Sequence, residues 1–466
     1  MTNRPLVAFV YLLAACAGAP PVTTPAPAAT GIQATPRISF EKYTLPNGLQ
    51  VILHEDHSTP IVAVNTWYHV GSGDEQPGRT GFAHLFEHIM FMGSQNVPVG
   101  MFDQWLEAAG ADNNGSTTED RTNYYEVLPA NALELALWLD ADRMGWLLPT
   151  MDLPKVDLQR DVVKNERRQG VDNVPYGRAD ETILAALYPK GHPYSWPVIG
   201  SMADLSAATL EDTRNFFRTY YAPNNATLAI AGDFDPATAK RLVEKYFGPI
   251  PRGPAVNRRT SVPPVVIPND KFLVLEDRVQ LPRLFYTWPT VKLFAPDDAA
   301  LDILAQVLAN DKNSRLYKKL VYDLQVAQSV RAFQESSRLT GKFQVDVLPK
   351  PGQAPADIDN LVQAEIAGII NNGISQRELV RAQNSYRAQF LDRIASVLGK
   401  ADVLNSYNYF AGTPDYVQQD AARYDRVTVA DVQRVARTYL GKPKVVLTVV
   451  PEGKKELMLS TAGGAQ

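Results

Sequence analysis

The chain has 466 residues, of which 45% are hydrophobic and 21% are charged, as in ordinary globular proteins. A chain of this length is too long for one hydrophobic core, and domains of roughly 150 residues would make two to four of them. The formal net charge of -4 gives no electrostatic case for binding DNA or RNA, so nucleic acid is excluded as the expected partner.

The first 16 residues have the pattern of an export signal. Arg4 is followed by an apolar run over residues 6–15, which is too short to span a bilayer. The four residues L-A-A-C that end at Cys16 resemble a bacterial lipobox, whose cysteine is lipidated and becomes the mature N-terminus; a plain cleaved signal is the alternative. Cys16 is the only cysteine, which excludes an internal disulfide and a cysteine-based zinc site. We therefore predict an exported, periplasmic protein whose membrane contact is a lipid anchor at Cys16.

The remaining chain divides by composition. Residues 17–37 are rich in proline, alanine and threonine and cannot bury a core, which predicts a flexible tether. Residues 249–270 are proline-rich without apolar periodicity, which is typical of a linker between domains. We predict a first domain at 38–248, a second domain at 271–456 and a flexible tail at 457–466.

The first domain has the pattern of an α+β unit. An Asn-Gly turn at 47–48 with apolar alternation on both sides predicts a hairpin over residues 43–53. Strict alternation then predicts a strand at 61–70. The further predicted elements are helices at 81–93, 101–109, 130–147, 156–170, 179–187, 210–220 and 236–246, a break at 110–115, and strands at 116–128 and 226–231.

The second domain follows a similar order. The predicted elements are strands at 272–275, 283–287, 326–333, 342–348 and 444–450, and helices at 297–309, 355–370, 375–397 and 429–440. Both halves close with a helix, a short loop and an apolar strand. This indicates two copies of one fold.

The predicted helix at 81–93 contains His84, Glu87 and His88 in the order H-x-x-E-H, the reverse of the more common H-E-x-x-H signature of zinc proteases. The two histidines lie one turn apart on one face, where they can bind one Zn²⁺, and Glu87 borders that face. With six histidines in the chain, chance gives about 0.004 such strings. Histidines with ordinary hydrogen bonds on a partly exposed helix are the alternative. Apolar flanks on all sides instead indicate a buried helix, in which the three polar side chains need a shared partner such as a metal.

A catalytic zinc takes three protein ligands and leaves one position open. Glu166 is the best candidate for the third, because it follows Val162 by one turn on a predicted helix whose Val162 and Val163 indicate an apolar, inward face. The other histidines lie in predicted strands or turns and are poor candidates: His54, His57, His69 and His192.

The segment G-F-A-H-L-F-E-H-I-M-F-M-G-S, with R-D-V-V-K-N-E-R-R-Q around Glu166, resembles the pitrilysin/insulinase family of zinc peptidases, in its bacterial two-domain branch. Shorter matching motifs are N-Y-Y at 123–125, H-P-Y at 192–194, Y-A-P-N-N-A at 221–226, G-D-F at 232–234 and S-R-L at 314–316. The resemblance covers nearly all of the mature chain. It implies two homologous α/β-roll domains, mainly antiparallel sheets packed with helices, that form half of a clam-shell chamber.

The resemblance also implies the chemistry. One zinc ion would be bound by His84, His88 and Glu166, with Glu87 as general base of a zinc endopeptidase. Peptides would add as a strand to a sheet edge beside the metal helix. The matching residues are Asn114, Gly115, Ser116 and Thr117, for which an ordinary turn into a strand is the alternative.

Two departures from the family pattern stand out. Gln159 lies where the family often has a glutamate that supports the ligands from behind, and Gln can hydrogen-bond there but carries no charge. In the second domain Val321 and Gln328 occupy the positions of an Arg and a Tyr that bind substrate and stabilise the oxyanion. Arg315 and Tyr322 have the same spacing of seven, but Arg315 belongs to the S-R-L motif.

The missing pair predicts a heterodimer with a related subunit that lacks H-x-x-E-H and supplies the Arg/Tyr pair. Two other functions remain open. One is a non-catalytic assembly or core-type subunit of a larger complex, against which the intact H-x-x-E-H argues. The other is a metal-dependent hydrolase of non-peptide amides.

Overall fold

The computed structural model describes residues 36–460. The predicted signal, Cys16, most of the predicted tether and the last six residues of the predicted tail lie outside the described residues. Within residues 36–460, none of the helices has the length and apolar character needed to cross a membrane.

The first half of the chain forms a six-stranded sheet. Its strands are β1 (Glu41–Thr44), β2 (Gln50–Glu55), β3 (Ile61–Tyr68), β4 (Asp112–Thr117), β5 (Thr122–Pro129) and β6 (Ala226–Gly232). Their order is β1-β2-β6-β3-β5-β4, and β2 and β6 run parallel while the other neighbours are antiparallel. The structure contains the predicted first hairpin, and Gly48 supplies the positive φ of 98° that its turn requires.

The prediction for residues 110–128 was partly wrong. In place of a break and one strand, the structure has β4 and β5 joined by a tight turn at residues 118–121. The Thr118 N–H donates to the Arg121 carbonyl (2.9 Å), and the Thr118 hydroxyl accepts from the Arg121 N–H (3.2 Å). A threonine side chain thus closes the turn, a local bond that the strand-like composition of the segment concealed.

Eight helices accompany this sheet. They are α1 (Phe82–Ile89), α2 (Met101–Ala108), α3 (Leu133–Trp146), α4 (Leu153–Arg167), α5 (Ala179–Leu187), α6 (Met202–Ala207), α7 (Leu210–Tyr220) and α8 (Pro236–Phe247). The short α6 was not predicted. Helix α4 begins three residues before the predicted start because the Asp152 carboxylate caps it by accepting from the Lys155 N–H. Its C-terminal end continues into a π-helical turn, Arg168–Asp172.

The second half forms a five-stranded sheet. Its strands are β7 (Lys271–Asp277), β8 (Arg283–Thr290), β9 (Ala327–Ser336), β10 (Gly341–Pro349) and β11 (Val445–Pro451). Their order is β7-β11-β8-β10-β9, with β7 and β11 parallel. This order repeats β2-β6-β3-β5-β4 strand for strand, with the same directions. The predicted α+β class with two mainly antiparallel sheets packed with helices is confirmed.

The helices of the second half are α9 (Asp298–Ala309), α10 (Pro355–Asn372), α11 (Gln376–Arg393), α12 (Val397–Phe410), α13 (Val417–Asp425) and α14 (Val429–Val435), the last continuing into a π-helical turn, Ala436–Leu440. The predicted helix at 375–397 ends at Arg393, and Ser396 caps a new helix, α12, by accepting from the Gly399 N–H. Neither α12 nor α13 was predicted. The buried residues of α12 include two asparagines beside the apolar side chains, and none of its residues is fully exposed, so no single apolar face marks it in the sequence.

The two halves exchange helices. Helix α12 of the second half packs on β3 and β6 of the first sheet, and α5 of the first half packs on β11 and β8 of the second. Leu404 of α12 belongs to a buried cluster with Ile52 and Ala229 of the first sheet. Residues 248–270, which connect α8 to β7 in the sequence, form neither helix nor strand. Each sheet therefore depends on the other half of the chain to cover one face.

Candidate metal centre

Helix α1 is capped by a side chain from outside the helix. Its N-cap residue is Gly81, in the left-handed region (φ 88°), which has no side chain to serve as cap. The Glu75 carboxylate takes over that role by accepting from the Gly81 N–H (3.0 Å) and the Ala83 N–H (2.8 Å), and from the Trp196 indole N–H (3.1 Å). Burial raises the pKa of Glu75 to about 8, although these hydrogen bonds act to lower it. Sequence reasoning missed Glu75, because its distance of six residues from the helix start falls outside the usual capping spacings.

Most of α1 is buried, as its apolar flanks predicted. Phe82, Ala83, Leu85, Phe86 and Ile89 are buried, and the last three belong to the core of the first half. The two histidine side chains lie on the remaining face, where 12% of His84 and 24% of His88 is exposed. Both imidazoles therefore lie at the border between the core and the solvent-exposed surface.

The structure brings the three predicted ligands together. Helix α4 packs on α1, and Oε2 of Glu166 lies 3.6 Å from Nε2 of His84 and 3.3 Å from Nε2 of His88. Zinc bonds of about 2.0–2.1 Å in a tetrahedral shell place neighbouring ligand atoms about 3.3–3.4 Å apart. The donor set and its spacing therefore fit a zinc ion. Within residues 36–460 no other cluster of three His, Cys, Asp or Glu side chains meets the same geometric requirement.

The protonation states also suit a metal. Burial, together with a smaller effect of the nearby His88, lowers the pKa of His84 to about 4. Burial lowers the pKa of His88 as well, although Glu166 acts to raise it. Neutral imidazole is the form that binds a metal, so neither histidine has to lose a proton at neutral pH.

The expected inward face of α4 was wrong in one respect. Val163 is buried, but Val162 is 39% exposed, and the Glu166 side chain is 49% exposed. Residues 162 and 163 differ by about 100° around the helix, so they cannot share a narrow face. Glu166 thus approaches the histidines from the solvent-exposed side rather than from the core.

Gln159 lies behind His88. Its amide N–H donates to the Met92 sulfur (2.7 Å), and a hydrogen bond between Gln159 and His88 raises the pKa of that histidine against the larger lowering by burial. The predicted supporting position is thus in contact with a candidate ligand.

Glu87 faces the edge strand of the first sheet. The Thr117 hydroxyl donates to Glu87 Oε2 (2.6 Å). Burial raises the pKa of Glu87, the Thr117 bond acts to lower it, and the charge of Glu166 raises it. A raised pKa suits a carboxylate that accepts and returns a proton near neutral pH.

The strand β4 passes close to Glu87 because residue 115 is a glycine. A Cβ at Gly115 would lie 3.0 Å from Glu87 Cγ and 3.3 Å from its Oε1. The register of β4 on β5 and the bond that closes their turn direct the main-chain groups of Asn113, Gly115 and Thr117 away from β5. The Gly115 N–H donates to Asn114 Oδ1 (2.8 Å), so that side chain covers part of the edge.

Ser116 has a different environment from its neighbours. Its hydroxyl donates to Asn123 Oδ1 (2.6 Å), and its carbonyl accepts from Arg121 Nη1 (2.8 Å). Of the four predicted substrate-binding residues, Ser116 therefore forms its hydrogen bonds within the hairpin, while Gly115 and Thr117 face Glu87. Beside them lies a cavity of about 260 Å³ lined by Glu87, His88, Phe91, Asp103, Asn113 and Asn114.

The second half has no counterpart of this centre at the matching place in the chain. Helix α9 follows β8 as α1 follows β3, and its sequence D-A-A-L-D-I-L-A-Q-V-L-A contains no histidine. Arg315 binds Glu378 through Nε (2.7 Å) and Nη2 (3.0 Å) and also the Gly373 carbonyl (3.1 Å). Tyr322 is 73% exposed. Arg315 is thus engaged in anchoring α11, which does not favour it as a substitute for the missing arginine.

Comparisons with known proteins agree with this architecture. The family model described as "Insulinase (Peptidase family M16)" matches residues 50–195, and "Peptidase M16 inactive domain" matches residues 207–386. A Helicobacter pylori protein named "Zinc protease PqqE" is 30% identical over 413 residues, covering 86% of this chain and 90% of that protein. An Arabidopsis thaliana protein named "Probable mitochondrial-processing peptidase subunit beta" is 23% identical, covering 87% of this chain and 77% of that protein. The crystal structure of a protease from Helicobacter pylori superposes with a TM-score of 0.81 at 26% identity, covering 89% of this chain and 99% of that one.

Proposed function

This chain belongs to the insulinase family of peptidases, family M16, and from that membership we propose that it is a zinc-dependent endopeptidase. The observation that carries the proposal is the convergence of His84, His88 and Glu166 beside Glu87 and the edge strand β4. A non-catalytic subunit would have no need to keep all four side chains in this arrangement. The metal-less second half accords with the family description of an inactive domain.

The proposed reaction uses few side chains. A zinc ion held by His84, His88 and Glu166 would polarise the scissile carbonyl and acidify a water molecule. The Glu87 carboxylate takes one proton from the water whose oxygen bonds to the scissile carbon. It then returns that proton to the leaving amine nitrogen as the C–N bond breaks. The Thr117 hydroxyl orients Glu87 through its bond to Oε2.

We propose that the substrate binds as an additional strand on β4. The outward main-chain groups of Asn113, Gly115 and Thr117 would pair with a peptide of almost any sequence. The Asn114 side chain would have to release the Gly115 N–H first. The cavity beside Glu87 would accept one substrate side chain.

We also propose that a related subunit completes the site, closing a chamber around the peptide. The positions of the Arg/Tyr pair hold Val321 and Gln328, and Arg315 is bound to Glu378. A missing oxyanion donor costs on the order of 3 kcal/mol in the reaction barrier. Full activity of the purified chain as a monomer would contradict this heterodimer proposal.

Export to the periplasm and lipidation of Cys16 stay proposals that rest on the first 16 residues. Labelling with a radioactive fatty acid should mark the wild-type chain and not Cys16→Ser. Equal labelling of both would rule out an anchor at this cysteine.

The proposed function is tested by zinc content and peptide cleavage measured on the same preparations. We expect about one zinc per chain and cleavage of a quenched fluorescent peptide, with the related subunit added where one is available. Glu166→Gln should lower the zinc content, since it removes a ligand charge, whereas Glu211→Gln, at an exposed position of α7, should not. Stoichiometric zinc without cleavage of any peptide would favour the assembly subunit or the hydrolase of non-peptide amides.

A further inference from the structure

Two hairpin turns, one from each half, meet in the interior of the molecule. One is the β4–β5 turn at residues 118–121, and the other is the β9–β10 turn at residues 337–340. The main-chain N–H of Arg338 donates to Asp120 Oδ2 (2.8 Å). Asp120 is only 3% exposed, so this bond forms away from water.

A tyrosine joins the two turns a second time. The Tyr194 hydroxyl donates to Asp120 Oδ1 (2.6 Å) and accepts from the Leu339 N–H (3.1 Å). Tyr194 and Leu339 are both buried. Both carboxylate oxygens of Asp120 are therefore bound by groups that tie the first turn to the second.

The Arg338 side chain supplies the compensating charge. Its Nη1 donates to the Arg259 carbonyl (2.6 Å), and its Nε lies 3.4 Å from Asp120 Oδ1. Its Nη2 lies 3.8 Å from Asp74 Oδ1. One guanidinium thus faces two buried carboxylates of the first half, and removing it would take a compensating cation away from both.

The β4–β5 turn has little freedom on its other side. The Ser72 N–H donates to the Thr118 carbonyl (3.1 Å), and the Gly73 N–H donates to the Glu119 carbonyl (2.8 Å). A Cβ at Gly71 would collide with the Thr118 carbonyl oxygen. The turn is clamped between this loop and Arg338, and Thr117, which binds Glu87, immediately precedes it.

We propose that Arg338 is a positioning residue for the peptide-binding edge: by holding Asp120 it sets β4, and with it Thr117 and Gly115, against Glu87. The inference rests on the proposed function. It gives the metal-less half a task within the active site of its own chain. The substrate edge would be placed by a residue that lies outside the metal-binding half of the sequence.

Hydrogen–deuterium exchange on the full-length protein tests the positioning directly. Arg338→Ala keeps the main-chain bond to Asp120 and removes only the guanidinium. Loss of this cation should speed exchange in residues 112–117 by about tenfold or more, with little change in β3 and β6. Arg331→Ala is the matched control, because Arg331 lies in the same hairpin, is largely exposed and pairs with Asp346. Unchanged exchange in residues 112–117, or an equal increase across β3 and β6, would overturn the proposal.

Kinetics provide the second readout. Misplacing β4 weakens main-chain contacts that substrate and transition state share and also moves Thr117 relative to Glu87, so Arg338→Ala should raise KM about tenfold and lower kcat as well. Arg338→Lys should recover part of the loss, and a fall in kcat alone would contradict the proposal.

If Arg338→Ala does not fold, Asp120→Asn should produce the same local increase in exchange. A wild-type chain that cleaves no peptide even with the related subunit present would refute the proposed function, and the exchange measurement would still decide the role of Arg338.

Discussion

Glu87 and the residues that touch it carry the chemistry at the scale of single side chains. The Thr117 hydroxyl orients one carboxylate oxygen, and Gly115 leaves room for the side chain next to the strand. Burial raises the pKa of Glu87, and the Thr117 bond opposes that rise. The orientation of this carboxylate therefore depends on a single hydroxyl.

Thr117→Val should lower the rate of peptide cleavage. The change removes a hydrogen bond to a carboxylate, worth about 1.5–3 kcal/mol, and this corresponds to a loss of roughly ten- to a hundredfold in kcat/KM. Zinc content should stay unchanged, and Thr117→Ser should retain most of the activity because it keeps the hydroxyl. Wild-type kinetics for the valine variant would show that Thr117 does not orient Glu87.

His69 should make the fold sensitive to acid. Burial, together with a smaller effect of the charge of Arg258, lowers its pKa to about 3, and its ring stacks on Tyr409 at 4.3 Å between centroids. An unfolded histidine binds a proton below about pH 6.5. The unfolded state thus binds more protons between pH 6.5 and 3, so the free energy of unfolding falls as pH falls through this window.

Urea denaturation at pH 7 and pH 5 measures that effect. His69→Gln should lose less stability than wild type between the two values, by up to about 1.4 kcal/mol per pH unit below pH 6.5. His57→Gln is the control. Because Asp233 and Glu55 raise the pKa of His57, this variant should lose more stability than wild type between the two pH values. Equal losses in wild type and His69→Gln would contradict the assignment.

At the scale of elements, α1 is held between α4, which brings Glu166, and β4, which brings Thr117. Its N-terminus depends on the Glu75 carboxylate rather than on a capping residue of its own. Anything that shifts the start of this helix shifts both candidate zinc ligands. The stability of one helix end is therefore coupled to the metal centre.

Glu75→Ala should destabilise the protein and weaken zinc binding together. Two buried N–H groups lose their acceptor, which costs about 1–3 kcal/mol each before water or structural relaxation offsets it. Thermal denaturation and zinc titration measure both effects. Glu134→Ala, which removes an exposed pair with Lys245, should change stability by less than about 1 kcal/mol. A Glu75→Ala variant with wild-type stability and zinc affinity would refute the capping role.

Sequence reasoning predicted the elements and residues that local patterns or a family resemblance mark. The H-x-x-E-H helix and the first hairpin are local patterns, and Glu166 was identified with the help of a family resemblance. Glu75, α12 and the bond between Asp120 and Arg338 depend on partners that only the fold brings near. The β4–β5 turn is closed by a local threonine bond, but the strand-like composition of the segment concealed it. The expected burial of Val162 failed because adjacent residues of a helix point in different directions.

At the scale of the whole molecule, the exchange of α5 and α12 joins the two sheets. We propose that the domains predicted at 38–248 and 271–456 share one topology but do not fold independently. Without α12, the face of the first sheet that holds Ile52, Ala63, Ala229 and Ala231 would be exposed to water. The metal centre would then depend on a helix that the second half supplies.

Leu404→Ala tests this coupling. Leu404 lies in α12 with 1% exposure, so its truncation should cost about 2–5 kcal/mol. In urea, zinc release and loss of circular dichroism should occur in one transition, shifted to lower concentration in the variant. Leu391→Ala, at a partly exposed site on α11, should shift it less. Zinc release that precedes a separate unfolding of the second half would contradict the account.

The most direct test of the central claim is the zinc content and peptidase activity of Glu87→Gln. Glutamine keeps the size of the side chain and can accept the Thr117 bond, but it cannot take a proton from water. We predict wild-type zinc content with cleavage of a quenched peptide reduced by about a hundredfold or more. Retained cleavage in a fully zinc-loaded variant would contradict the role of Glu87 and the proposed mechanism with it.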